Sequence, residues 1–261
     1  MYDFLDSDGV QAVLEAVKGK IPTVSNPNLL TNPNFSINQR EISGAFSDTG
    51  KYFVDRWRLV SGTVTVNSDG TLTLNGSICQ PLENSVETNV TASVSAGTAV
   101  YDDTAKTFTI TGNGDAISWA KLEIGSAATD FSPPDPATEL MKCYRFFYRV
   151  GRGIANPNQV VNMKRIDYQN ISEKAAGATL RFPVEMRVSP TVTISGTPWC
   201  FRLFTNNRAN VFVANSNNII ISTQKCGYEI AITNNHFANA TDGFIAPVFN
   251  TGYTDFDAEI Y

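Results

Sequence analysis

Thr63-Val64-Thr65-Val66-Asn67-Ser68-Asp69-Gly70-Thr71-Leu72-Thr73-Leu74 decides the fold class. Val64 and Val66 alternate with threonines. Four turn-forming residues follow, and then Leu72 and Leu74 alternate with threonines again. Period two on both sides of a polar break is a β-hairpin with one buried face. The texture continues outward. Ala99-Val100-Tyr101 passes over Asp102-Asp103-Thr104-Ala105-Lys106 to Phe108 and Ile110, a second hairpin. Gly112-Asn113-Gly114-Asp115 is expected to turn the chain into a strand over 117–124. Farther on, Val192 and Ile194 alternate, as do Val211 and Val213, Ile219 and Ile221, and Tyr228, Ile230 and Ile232. Residues 254–261 alternate Phe256 and Ala258 with acidic residues and read as a closing strand. Short strands at about 8–12-residue spacing predict a β-sandwich architecture.

Composition agrees. The 261 residues include 24 Asn and 26 Thr but 9 Lys and 10 Glu. Helix surfaces draw on Lys and Glu, whereas Asn favours turns and Thr favours strands. With 42% hydrophobic and 17% charged residues the chain has enough apolar content for a packed core. A net charge of −5 argues against a nucleic-acid partner, because phosphate binding needs a basic face. The opening Met1-Tyr2-Asp3-Phe4-Leu5-Asp6 lacks a basic, apolar leader pattern, and no apolar run approaches the roughly 18 residues of a membrane span. Neither a standard export signal nor membrane insertion is expected. Cys79, Cys143, Cys200 and Cys226 are widely spaced and the chain holds one histidine, so no metal site, no cofactor and no disulfide scaffold are expected.

Two helices are expected. Val10, Val13, Leu14, Val17 and Ile21 form one apolar stripe over residues 4–21, capped by Asp6 or Ser7 and stopped before Pro22. Residues 22–34 read as a linker. Pro133-Pro134-Asp135-Pro136 is the clearest boundary: Asp135 caps a short helix with Pro136 at its first position, and Leu140, Cys143, Tyr144 and Phe147 fall on one face. The expected division is 1–26, 27–134 and 135–261.

Three segments together resemble modular tail and fibre proteins of phages and prophages. Asn28-Leu29-Leu30-Thr31-Asn32-Pro33-Asn34-Phe35-Ser36-Ile37-Asn38-Gln39-Arg40, followed by Tyr52-Phe53-Val54-Asp55-Arg56-Trp57, is similar to the opening of their carbohydrate-binding-like jelly-roll modules. Trp119 through Phe131 (WAKLEIGSAATDF) resembles the closing strand of the same module. Glu139-Leu140-Met141-Lys142-Cys143-Tyr144-Arg145-Phe146-Phe147 resembles the start of a C-terminal fibre domain, and Ala258-Glu259-Ile260 matches its Ala-Glu-hydrophobic tail. The fold expected is therefore mainly β, a jelly-roll-like β-sandwich followed by a second β-sandwich-type fibre domain, with a short N-terminal helix. A jelly roll pairs its first and last strands, and Trp57 and Trp119 are large enough to fill the space between sheets. The resemblance implies a virion protein made in the bacterial cytoplasm, a homotrimer that joins other virion proteins through its N-terminal segment and recognises bacterial surface polysaccharide. The alternatives are a purely structural virion component (a head fibre, decoration or spacer protein) and a polysaccharide-degrading fibre.

Nucleophile-elbow, P-loop and dinucleotide motifs are absent. His236 stands in a polar loop without a designated partner, so no catalytic residue and no enzymatic activity are expected. Glycan contact calls for an aromatic face beside hydroxyl-binding groups. Trp199, after the loop Gly196-Thr197-Pro198, and Tyr253, in Thr251-Gly252-Tyr253-Thr254, are the candidates. Lys142, Arg145, Arg149 and Arg152 are the only basic cluster and the candidate for steering toward anionic wall polymers.

Overall fold

The computed structural model describes residues 10–12, 25–86, 89–151, 175–196, 199–205, 208–214, 219–233, 242–247 and 252–261. Val10–Ala12 are helical, and the rest of the expected 4–21 helix lies outside the described residues.

The chain is mainly β. Its first part carries β1 (Gly44–Phe46), β2 (Tyr52–Val54), β3 (Trp57–Val66), β4 (Leu72–Pro81), β5 (Val90–Val94), β6 (Thr98–Asp102), β7 (Thr107–Ile117) and β8 (Ala120–Ile124). One sheet runs β1-β3-β4-β7-β6 with β2 also on β3, and a second pairs β5 with β8. The deciding hairpin forms as read: Val64 stands opposite Leu74 and Val66 opposite Leu72, all buried. The second hairpin sets Tyr101 opposite Phe108.

Residues 25–33 are not a linker. They lie beside β8, extending the smaller sheet. Leu29 N–H donates to Leu122 O at 2.8 Å and Ala120 N–H to Pro33 O at 2.8 Å. The Asn28 amide acts as a peptide group, donating to Ala120 O and accepting from Leu122 N–H. Asn, poor in strand interiors, is favoured here because its side chain supplies the ladder bonds. The opening and closing segments of the module therefore pair.

Trp57 is fully buried between the sheets. Its ring meets Phe35 at 5.0 Å and Phe108 at 6.1 Å, both edge-on, and its indole N–H donates to Asn32 O at 2.8 Å. Trp119 departs from expectation. It stands just before β8, half-buried, and stacks flat on Phe131, 5.1 Å between centroids.

Gly112–Asp115 is likewise not a turn. β7 runs through it with a bulge: Leu74 pairs with Asp115 and Asn75 with Asn113, which leaves Gly114 extra at φ +82°. A second bulge leaves Val60 extra in β3. Each bulge shifts the alternation by one residue. In β3 it brings Leu59 and Val64, five positions apart, to the same core. Between the bulges Gly62 and Gly76 face each other, and a Cβ on Gly62 would sit 2.1 Å from Asn75 O.

The helix α1 (Pro136–Tyr144) follows the proline boundary. Asp135 accepts from Thr138 N–H at 2.8 Å, the cap read from sequence. It ends before Phe147, which instead opens β9 (Phe147–Gly151). Cys143 is buried, as is the acidic Glu139, which accepts from Asn32 N–H at 2.7 Å and so fixes α1 on the first module's opening loop. Cys79, Cys143 and Cys226 are free thiols.

The remaining strands are β10 (Ala175–Arg181), β11 (Thr191–Gly196), β12 (Trp199–Thr205), β13 (Arg208–Ala214), β14 (Ile219–Gln224), β15 (Gly227–Thr233), β16 (Asp242–Pro247) and β17 (Gly252–Asp257). They form three antiparallel sheets, β10-β15-β14, β11-β17-β9 and β13-β12-β16. The first two pack through Phe256, which is fully buried and contacts Tyr228 at 4.3 Å and Phe182 at 5.1 Å. No described helix is long and apolar enough to cross a membrane.

Candidate functional site

The sheet β11-β17-β9 places the site. Along β17, Thr254 and Phe256 point into the core, so Tyr253 and Asp255 share the outer face. Across the ladders Asp255 stands between Arg149 of β9 and Thr193 of β11, and Tyr253 stands beside Ser195. Directly opposed and diagonal side chains on one face are within reach. Arg149 uses both relations. It grips Asp255 in a two-pronged ion pair at 2.6 and 2.8 Å and lies over the Tyr253 ring at 3.9 Å. From the first module, Arg40 O accepts from Arg149 at 2.9 Å, and the exposed Glu41 carboxylate lies 3.9 Å away. Burial pulls the Arg149 guanidinium down, but the bond and charge of Asp255 outweigh it and hold it above its ordinary value. The result is a fixed cation on one aromatic ring, flanked by a carboxylate and two hydroxyl-bearing strand positions.

Farther along the same face, where Phe147 stands opposite Asp257, lies a buried charge network. Arg40 stacks on Phe147 at 3.7 Å, and its two terminal nitrogens sit 3.6–3.9 Å from Asp55, Asp257 and Glu259. They have no hydrogen bond among the described residues. Asp55 accepts from Gln39 N–H and from the Gln39 amide, each at 2.7 Å. Burial pushes its carboxyl up to about 6, against the opposing pull of Arg40 and Gln39. Arg56 pairs with Glu259 and lies over Phe146 at 3.6 Å.

Of the residues singled out from sequence, Arg149 and Tyr253 are brought together. Lys142 lies elsewhere, on α1, paired with Glu139 at 3.1 Å. Arg145 pairs with Glu83 at 3.0 Å. Arg152 lies outside the described residues, as does His236. Trp199 opens β12 opposite Ala214 and Pro247, away from this sheet in the pairing order. Glu41, Thr193, Ser195 and Asp255 were not singled out. Asp255 carried a signal, an acidic residue on the polar phase of an alternating strand, but its pairing with Arg149 needs the register across 106 residues. No cluster of three or more metal-ligating side chains occurs among the described residues.

Compared with protein-family models, with curated proteins and with solved structures, the chain gives no match.

Proposed function

We propose that the chain is a non-enzymatic virion attachment protein of the phage or prophage fibre or tail-tip type, recognising glycan on the bacterial surface. The observation that carries the reading is the Tyr253–Arg149–Asp255 face: an aromatic ring held rigid by a cation, beside carboxylate and hydroxyl groups, is the chemistry that stacks on a sugar and bonds its hydroxyls. The pairing of residues 28–33 with β8, the two segments similar to fibre-module ends, supports the same reading. Three copies on one axis would turn weak single contacts into firm adhesion by avidity. The N-terminal segment would join the trimer to other virion proteins.

The test is adhesion of the purified chain to a panel of bacterial cells, with Tyr253→Ala and Trp199→Ala beside it, and detection of the chain in virions. Cell adhesion lost in Tyr253→Ala supports glycan contact at this face. A chain that neither adheres to cells nor occurs in virions ends the proposal. A purely structural virion part is the second reading, and one observation favours it: Arg149 spends its bonds on Asp255 and Arg40, bracing the two modules. Virion incorporation with undiminished adsorption in both variants selects that reading.

A further inference from the structure

A cleft of about 500 Å³ opens where the first module meets the second. Pro81 and, from the tail, Ile260 both line it. Three cationic side chains line it, Lys106, Arg145 and Arg187, against one carboxylate, Glu83. Their local sum is +2 in a chain whose net charge is −5.

The three cations come from separate parts of the chain, and the fold gathers them. Lys106 closes the β6–β7 hairpin at φ +51°, and its carbonyl accepts from Leu82 N–H at 2.8 Å. Arg145 follows α1, and its carbonyl accepts from Arg187 N–H at 2.8 Å. Arg187 uses two nitrogens to hold the tail, donating to Ala258 O at 2.8 Å and Glu259 O at 2.9 Å. Its third nitrogen makes no bond among the described residues. Lys106 has no carboxylate partner among them either. Arg145 alone is neutralised, by a two-pronged pair with Glu83 whose side chains are 43% and 31% exposed. Exposed pairs of this kind are weak and exchange readily for another anion.

We infer that this cleft binds an anionic oxygen group, a phosphodiester or a carboxylate, carried on the surface polymer that the attachment reading calls for. The inference rests on that reading for the polymer and on the cleft for the charge. A planar guanidinium matches either group with two parallel bonds, and the Lys106 ammonium adds a point charge. Glu83 competes with the ligand for Arg145, so the site is partly self-blocked.

The experiment is calorimetric titration of the full chain with oligomeric glycerol phosphate, oligogalacturonate and a neutral dextran oligomer. Lys106→Asn keeps the left-handed backbone, which Asn tolerates, and removes the charge. Glu83→Gln releases Arg145. The expected result is binding of at least one anionic oligomer but not dextran, weaker by about 3–10-fold in Lys106→Asn and tighter by a similar factor in Glu83→Gln. It also weakens as salt rises from about 50 to about 200 mM. A gain of affinity cannot come from unfolding, so Glu83→Gln guards against a merely damaged variant. Which oligomer binds identifies the charged group. The inference is overturned if neither anionic oligomer binds, if dextran binds equally well, or if Glu83→Gln fails to tighten binding. Cell adhesion that persists without anion binding sinks the cleft and leaves the attachment reading standing. Anion binding without adhesion or virion incorporation does the reverse.

Discussion

Arg56 and Glu259 form an ion pair buried at both ends, joining the first module to the last residues of the second. Arg56 also stacks on Phe146, the residue just before β9, and donates to Pro81 O. Removing one member of such a pair leaves a buried charge without its partner. Glu259→Gln or Arg56→Met is expected to cost about 3–5 kcal/mol. The double variant is expected to lose less than the sum of the singles. Urea unfolding of all three measures the coupling, and strict additivity would show that the two side chains do not depend on each other.

The Asp55 carboxyl gives stability a pH dependence of defined sign. Its value rises from an ordinary 3.8 to about 6 in the folded chain, through burial. The folded state therefore holds the proton more tightly than the unfolded one. The stabilisation this group contributes is complete below about pH 4 and is lost as pH rises through about 6. The difference between wild type and Asp55→Asn isolates it. That difference should change by on the order of 2 kcal/mol between pH 4 and pH 7. A flat difference across that range would refute the assignment.

Trp57→Ala should destabilise the first module by about 3–5 kcal/mol, since it empties the centre of the sandwich and strands Asn32 O. The thermal midpoint reads this directly. Trp119→Ala removes only the flat stack on Phe131, and its effect should be well under half as large.

Gly62 and Gly50 separate backbone strain from collision. Both have positive φ, at +76° and +81°, but a Cβ at Gly50 meets nothing within 4 Å whereas one at Gly62 strikes the neighbouring strand. Gly50→Ala should cost about 1 kcal/mol. Gly62→Ala should cost several-fold more, or force β3 and β4 apart. Equal losses would show that the close approach of the two strands gives way freely.

The trimer in the proposed function predicts a light-scattering mass about three times 28.5 kDa for the full chain. A monomer at that measurement removes the avidity argument and moves the proposal to a single-copy binding or decoration module.

The hairpins were legible because both strands and their turn lie in one short window, where period two and turn chemistry reinforce each other. The Asp135 cap was legible for the same local reason. What escaped depends on partners far away in sequence. Gly112–Asp115 has turn composition, yet it is a bulge because β4 runs alongside it and imposes the register. Asn28 reads as loop until β8 supplies the carbonyl and amide that its side chain completes. Glu139 looks like a surface residue of α1 until Asn32 N–H is seen to meet it. The basic cluster shows this in the site itself. Sequence proximity grouped Lys142, Arg145 and Arg149, but the fold sends each to a different carboxylate and gathers Arg145 with Lys106 and Arg187 instead.

The pairing of β9 with β17 also has a mechanical side. The two strands run antiparallel, with Phe147 opposite Asp257 and Tyr253 opposite Gly151. A pull drawing Phe147 and Asp257 apart would peel the ladder one rung at a time, the weakest direction for a sheet. The residues just beyond that end are themselves tied down: Ala258 N–H donates to Phe146 O, and Arg187 donates to both Ala258 O and Glu259 O. Traction along the chain must therefore break the tail's anchorage before the first rung opens, so the tail shields the ladder at the end where peeling would begin.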